Sequence, residues 1–187
     1  MAKYLEKPAI KELNEYRQKI FDIRKEAFAK FGIDVLDTDT LSSLSIYEVV
    51  SQYDTDYNIN FSRNGEDAKS NGVLAEQKCS KIKKPSLSAS FMFHAMGDLA
   101  HDRYVLVVRQ EEDLKLLRIY DISTAANVKL VQDQLFEQRR AWLAKGKLDE
   151  SKMKRDVITV TEKFLLDNLK NTTRSMINDC AVIKAWL

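Results

Sequence analysis

The chain has 187 residues, 44% of them hydrophobic and 31% charged, with five glycines and two prolines, a composition that excludes fibrous, low-complexity and disordered classes and allows a sizeable core. Its formal net charge of +2 is too small to announce a nucleic-acid partner by itself. No apolar run reaches the length of a membrane span or secretory signal, and Cys79 and Cys180 give no disulfide framework, so a cytoplasmic protein with no membrane partner is expected.

Residues 8–31 read as a helix, with Pro8 near its start, Ile10, Leu13, Ile20, Ile23, Ala27 and Phe28 at helical intervals, and Gly32 at its end. A second helix is expected over 41–52. Tyr57-Asn58-Ile59-Asn60-Phe61-Ser62 alternates apolar and polar as a strand does, and Asn-Gly pairs follow at 64–65 and 71–72, predicting a three-strand meander. Residues 86–100 read as a helix carrying Phe91, Phe93, Ala95, Met96 and Leu99. Tyr104 to Arg109 is a near-continuous apolar run, as in a strand buried on both faces; Glu111-Glu112-Asp113 makes a turn and 114–120 the returning strand. Residues 124–145 look helical, 157–160 form a short strand and 161–169 a last helix. The expected fold is α/β, a mixed central sheet with an acidic hairpin, flanked by helices. No linker or repeat appears, so residues 1–187 are expected to be a single domain: a helical region over 1–53, a core over 54–121, and C-terminal helices with a short strand over 122–187.

The hairpin at 64–80 carries the chemistry. Asn71-Gly72 suits a two-residue type I′ turn, whose central residues need positive φ. That turn sets 70 against 73, 69 against 74, 68 against 75 and Asp67 against Glu76, with Lys78 on the same face and Ala75 and Gln77 on the other. In the matching register of the first strand Ser62 faces Asp67 and Phe61 faces Ala68. Two carboxylates set opposite each other repel unless a cation sits between them. Oxygen ligands favour a hard cation such as Mg²⁺, and the lysine beside them could steady charge on a phosphodiester under attack. The alternative is a solvated polar face in which Lys78 merely neutralises Glu76.

Asp67, an eight-residue gap and Glu76-Gln77-Lys78 resemble the signature of the PD-(D/E)XK nucleases, and Gly65-Glu66-Asp67-Ala68 followed by Asn-Gly and Glu-x-Lys resembles type II restriction endonucleases in particular. The match spans about a tenth of the chain, and Glu66 stands where the family name puts proline. The resemblance implies a restriction-endonuclease-like core, with Asp67 and Glu76 ligating Mg²⁺, the main-chain carbonyl of Gln77 adding a ligand and Lys78 assisting the attacking water. Glu48, on the preceding helix, is a possible accessory acid, against the plainer reading of an exposed helix glutamate. The implied activity is that of a Mg²⁺-dependent endonuclease of a restriction-modification system, cutting a short site in double-stranded DNA as a homodimer, with the helix at 8–31 as dimer surface.

Lys81, Lys83 and Lys84 follow the hairpin and read as phosphate-facing, DNA-binding residues. A second basic zone, Arg139, Arg140, Lys145, Lys147, Lys152, Lys154 and Arg155, is diluted by acids and reads better as a solvated mixed-charge helix and loop. His94 and His101 read as structural or DNA-facing rather than as general bases, and zinc bound by them with the cysteines lacks a ligand-spacing motif. Two rival functions stand beside the main one: a repair, structure-selective or homing nuclease on the same core, and a non-catalytic DNA-binding protein.

Overall fold

The structure is a computed structural model that describes residues 7–34, 37–60, 67–113, 115–146 and 157–186. The chain divides into two compact units, residues 1–44 and 45–187. The first carries α1, Lys7–Phe31, whose end is set by Gly32: at φ +69 it adopts the left-handed conformation that glycine tolerates, and its N–H donates to the Phe28 carbonyl at 2.8 Å. Leu13, Tyr16, Ile20, Phe21, Ile23, Phe28 and Phe31 of α1 are all exposed. The second helix, α2 (Thr38–Val50), starts three residues earlier than expected because Asp37 caps it, its Oδ2 accepting from the Thr40 N–H at 3.1 Å.

The second unit is built on a seven-stranded mixed sheet of order β1-β2-β3-β5-β6-β9-β8. The strands are β1 (Asn58–Ile59), β2 (Ala68–Ser70), β3 (Val73–Ile82), β5 (Arg103–Gln110), β6 (Leu116–Ile122), β8 (Thr173–Ile177) and β9 (Cys180–Ala185). β3 runs parallel to β5 and β6 parallel to β9; the remaining pairs are antiparallel. A separate ribbon pairs β4 (Ser90–His94) with β7 (Val157–Thr161), and the helices α3 (Ala125–Ala144) and α4 (Glu162–Asn168) complete the unit.

Alternation explains the layering. Along β5, Tyr104, Leu106 and Val108 enter one core with Phe91 and Phe93 of the ribbon, Val131 and Leu135 of α3 and Leu165 of α4. Val105 and Val107 enter the other, with Ile46, Val49 and Val50 from the end of α2. β5 is therefore buried on both faces, as its apolar run implies. The fold is α/β, a mixed sheet flanked by helices, and among the described residues no helix is long and apolar enough to cross a membrane.

Three sequence expectations need correction. Residues 86–100 contain β4 rather than a helix. Ala89, Phe91, Phe93 and Ala95 are buried and Ser90, Met92 and His94 exposed, a period of two that pairing with β7 satisfies. The path from β3 to β5 thus runs through a strand and turns instead of a helix. In the meander, Ile59 stands opposite Ala68 where Phe61 was expected. The shift is two residues, an even number, so Ile59 keeps the face it shares with Ala68. Phe61, Ser62 and the Asn64-Gly65 pair lie outside the described residues, as do Glu66 and, in the second basic zone, Lys147, Lys152, Lys154 and Arg155. The C-terminal region, expected to hold helices and one short strand, also holds the β8–β9 hairpin.

Candidate active site on the acidic hairpin

Asn71 and Gly72 have φ of +49 and +80, the positive pair that a type I′ turn requires. The turn fixes Ser70 opposite Val73, Lys69 opposite Leu74 and Ala68 opposite Ala75, the register read from the sequence. Continued by one residue, it sets Asp67 across from Glu76. Asp67 lies just before β2, and its Oδ2 accepts from the Gln77 backbone N–H at 2.8 Å, which ties the carboxylate to β3.

Glu76 and Lys78 project from β3 toward the core that holds Phe93 and Tyr104. Lys78 Nζ donates to Glu76 Oε1 and sits 5.7 Å from the centre of the Phe93 ring. His101 Nε2 lies 3.6 Å from Glu76 Oε2 and 3.1 Å from the Asp98 carbonyl. That carbonyl can only accept, so Nε2 carries a proton and is not free to act as a base. No local sequence pattern places His101, 25 positions downstream, beside Glu76.

The Asp67 carboxyl is held above the usual aspartate range. Burial is the main cause and the Glu76 charge adds to it, while Lys78, the Gln77 N–H and His101 pull the other way without prevailing. The site is thus short of positive charge. Among the described residues no hydrogen bond reaches Asp67 Oδ1, and no group of three or more His, Cys, Asp or Glu side chains forms a complete metal cage. Two carboxylates are the donor chemistry Mg²⁺ takes, since it binds through one or two carboxylates and keeps several waters. They suit zinc poorly, since Cys79 and Cys180 sit apart as free thiols on β3 and β9.

Behind the sheet lies a second charged cluster that the sequence did not reveal. Arg103, 3% exposed, donates from Nε and Nη2 to Asp121 at 2.8 and 2.7 Å and from Nη1 to Asp54 at 2.6 Å. Tyr53 donates to Asp121 at 2.8 Å, Ser70 to Asp54 at 2.8 Å, and the Arg103 guanidinium lies 5.2 Å from the ring centres of both Tyr57 and Trp186. Tyr57 in turn accepts from the Gln77 side-chain amide at 2.6 Å. Gln77 therefore joins the two clusters, its backbone holding Asp67 on one side and its side chain bound to Tyr57 on the other.

The other sequence-derived candidates are not brought to the carboxylates. Glu48 is exposed and lines a shallow cavity with Lys115 and Leu116. Leu116 pairs with Arg109, five residues along β5 from Tyr104, the partner of Glu76, which is roughly 16 Å at strand spacing. Lys81 likewise stands five residues past Glu76, roughly 16 Å along β3, with Lys83 and Lys84 farther on; all three are exposed. His94 is exposed on β4.

Comparison with the models of known protein families gives no match, and neither does comparison with curated protein sequences.

Proposed function

We propose that the protein is a Mg²⁺-dependent endonuclease that hydrolyses phosphodiester bonds in double-stranded DNA, on a restriction-endonuclease-like core and in the manner of type II restriction enzymes. One observation carries the reading: two carboxylates meet across a tight hairpin beside a lysine, and one of them is left short of compensating charge. Asp67 and Glu76 would hold Mg²⁺, with the Gln77 main-chain carbonyl as a further oxygen, and the ion would supply charge neutralisation at the phosphate and a more acidic water. Lys78 orients Glu76 in the resting protein and, turned to substrate, donates to the oxygen on which charge develops. The buried wall of Phe93 and Tyr104 keeps the lysine and the acid from being fully hydrated, which strengthens both effects. A homodimer would match the two-fold symmetry of a palindromic duplex, with the exposed apolar side chains of α1 as its contact.

The test is cleavage of phage DNA with and without Mg²⁺. Discrete Mg²⁺-dependent bands are expected. Smearing, or selective cutting of branched DNA, would instead identify a repair or structure-selective nuclease on the same residues. No cutting under any condition would leave a non-catalytic DNA-binding role. Asp67→Ala and Glu76→Ala should each abolish cleavage in protein that remains folded; wild-type rates in either would remove the site assignment.

A further inference from the structure

Five segments with no part in the acidic hairpin converge on one cavity of about 460 Å³ in the second unit: the loop that follows β3, the middle of β6, the face of α4, and single residues of β8 and β9. Its charged lining is Arg118, Glu162, Lys163, Asp167 and Arg174, three cations against two carboxylates. Both carboxylates are already committed. Glu162 accepts from Arg118, from the Tyr120 hydroxyl at 2.7 Å and from the Ala89 N–H at 2.9 Å; Asp167 pairs with Lys163 at 3.0 Å. Arg118 is largely engaged as well, since Nη1 and Nη2 also donate to the Pro85 and Leu87 carbonyls at 2.8 and 3.0 Å.

What remains is a cation and two hydroxyls. Arg174 is exposed on β8 beside the Tyr120 hydroxyl, and no carboxylate pairs with it among the described residues. Ser86 and Ser88 are exposed on the loop that lines the same cavity, and Lys83 and Lys84 lead directly into that loop. Leu87, Leu166 and Ile183 add apolar surface to the lining. A site with surplus positive charge, hydroxyl donors and an apolar wall suits a ligand that joins an anion to a ring, and its volume falls within the range of small-molecule pockets.

We propose that this cavity binds a nucleotide unit, its phosphate against Arg174, Ser86 and Ser88 and its sugar or base against Leu87, Leu166 and Ile183. Two sources offer that chemistry, a free nucleotide and a nucleic-acid strand. The site is distinct from the hairpin: Tyr120 stands in register with Leu106 and Lys78, two strands over at roughly 10 Å, with the β4 phenylalanines packed between. The proposal does not depend on nuclease activity.

The experiment follows the amide resonances of Ser86, Leu87 and Ser88 in Mg²⁺-free buffer with chelator, titrating the full-length protein with dAMP and, separately, with a short duplex oligonucleotide. Saturable shifts with dAMP identify a free-nucleotide site; shifts with the oligonucleotide alone identify a strand-binding one. In either case Arg174→Glu should weaken binding by about tenfold or more while leaving distant resonances unmoved, and Arg174→Lys, which keeps the charge, should retain most of it. No shift in the loop with either probe, or an unchanged response in Arg174→Glu, would overturn the proposal.

Discussion

The buried carboxylates of this protein fall into two kinds, and the contrast between them marks out the candidate site. Asp54 and Glu162 are both held below the usual carboxylate range: burial works against their charge, but hydrogen bonds from Arg103 and Ser70 in one case, and from Arg118, Tyr120 and the Ala89 N–H in the other, more than offset it. Asp67 goes the opposite way, because one backbone N–H and a nearby lysine do not offset burial and a facing glutamate. A fully bonded carboxylate is a structural part. One that folding leaves uncompensated has room for a partner from outside, and here that partner would be a hard cation.

The largest effect should come from breaking the satisfied side. Arg103→Met leaves Asp121, 0% exposed, and Asp54 without their cation, so urea denaturation should report a loss of about 3–5 kcal/mol. Undiminished stability would mean that the cluster is not structural. Next in size, Lys78→Ala should lower Mg²⁺-dependent cleavage by about a hundredfold while the protein still responds to Mg²⁺; unchanged turnover would remove the lysine's role.

The pH dependence sharpens the comparison, since the two kinds of carboxylate predict opposite signs. Glu162 titrates lower in the folded than in the unfolded chain, so its stabilisation is present above the ordinary glutamate range and is lost as pH falls through the lower folded value. Glu162→Gln should therefore cost about 1–3 kcal/mol at neutral pH, with the gap to wild type closing in acid. Asp67 titrates higher when folded, so its contribution is intact below the ordinary aspartate range and is lost as pH rises through the raised value. Asp67→Asn should stabilise the metal-free protein at neutral pH by about 0.2–1 kcal/mol, a gain that vanishes in acid. Denaturation midpoints of the two variants across pH that move in the same direction would erase the distinction.

The hairpin was legible because its determinants are local: Asn71-Gly72 sets the turn, the turn sets the register, and the register sets Asp67 against Glu76. β5 was equally plain from its apolar run, and the helix expected over 124–145 matches α3. The segment around β4 resembles a helix because Phe91, Ala95 and Leu99 also satisfy helical spacing, and what favours the strand is its partner β7, some 65 residues away in sequence. The β8–β9 hairpin had a weaker signal of the same type as the first. Asn178 and Asp179 adopt φ of +48 and +61, a turn without glycine. The Arg103 cluster was invisible, since Asp54 lies in the connection after α2, Arg103 on β5 and Asp121 on β6, and the three carry no shared motif. Lys81, Lys83 and Lys84 were assigned to the carboxylates by closeness in sequence, but an extended strand carries them away from Asp67 and toward the cavity bordered by Arg174.

Asp67 and Glu76 are proposed to hold a divalent cation, which the thermal midpoint of the DNA-free protein reports when measured against rising Mg²⁺ at constant ionic strength. The wild type should rise with Mg²⁺, whereas Asp67→Asn and Glu76→Gln should stay flat; a flat wild type, or an equal rise in all three, would contradict the account.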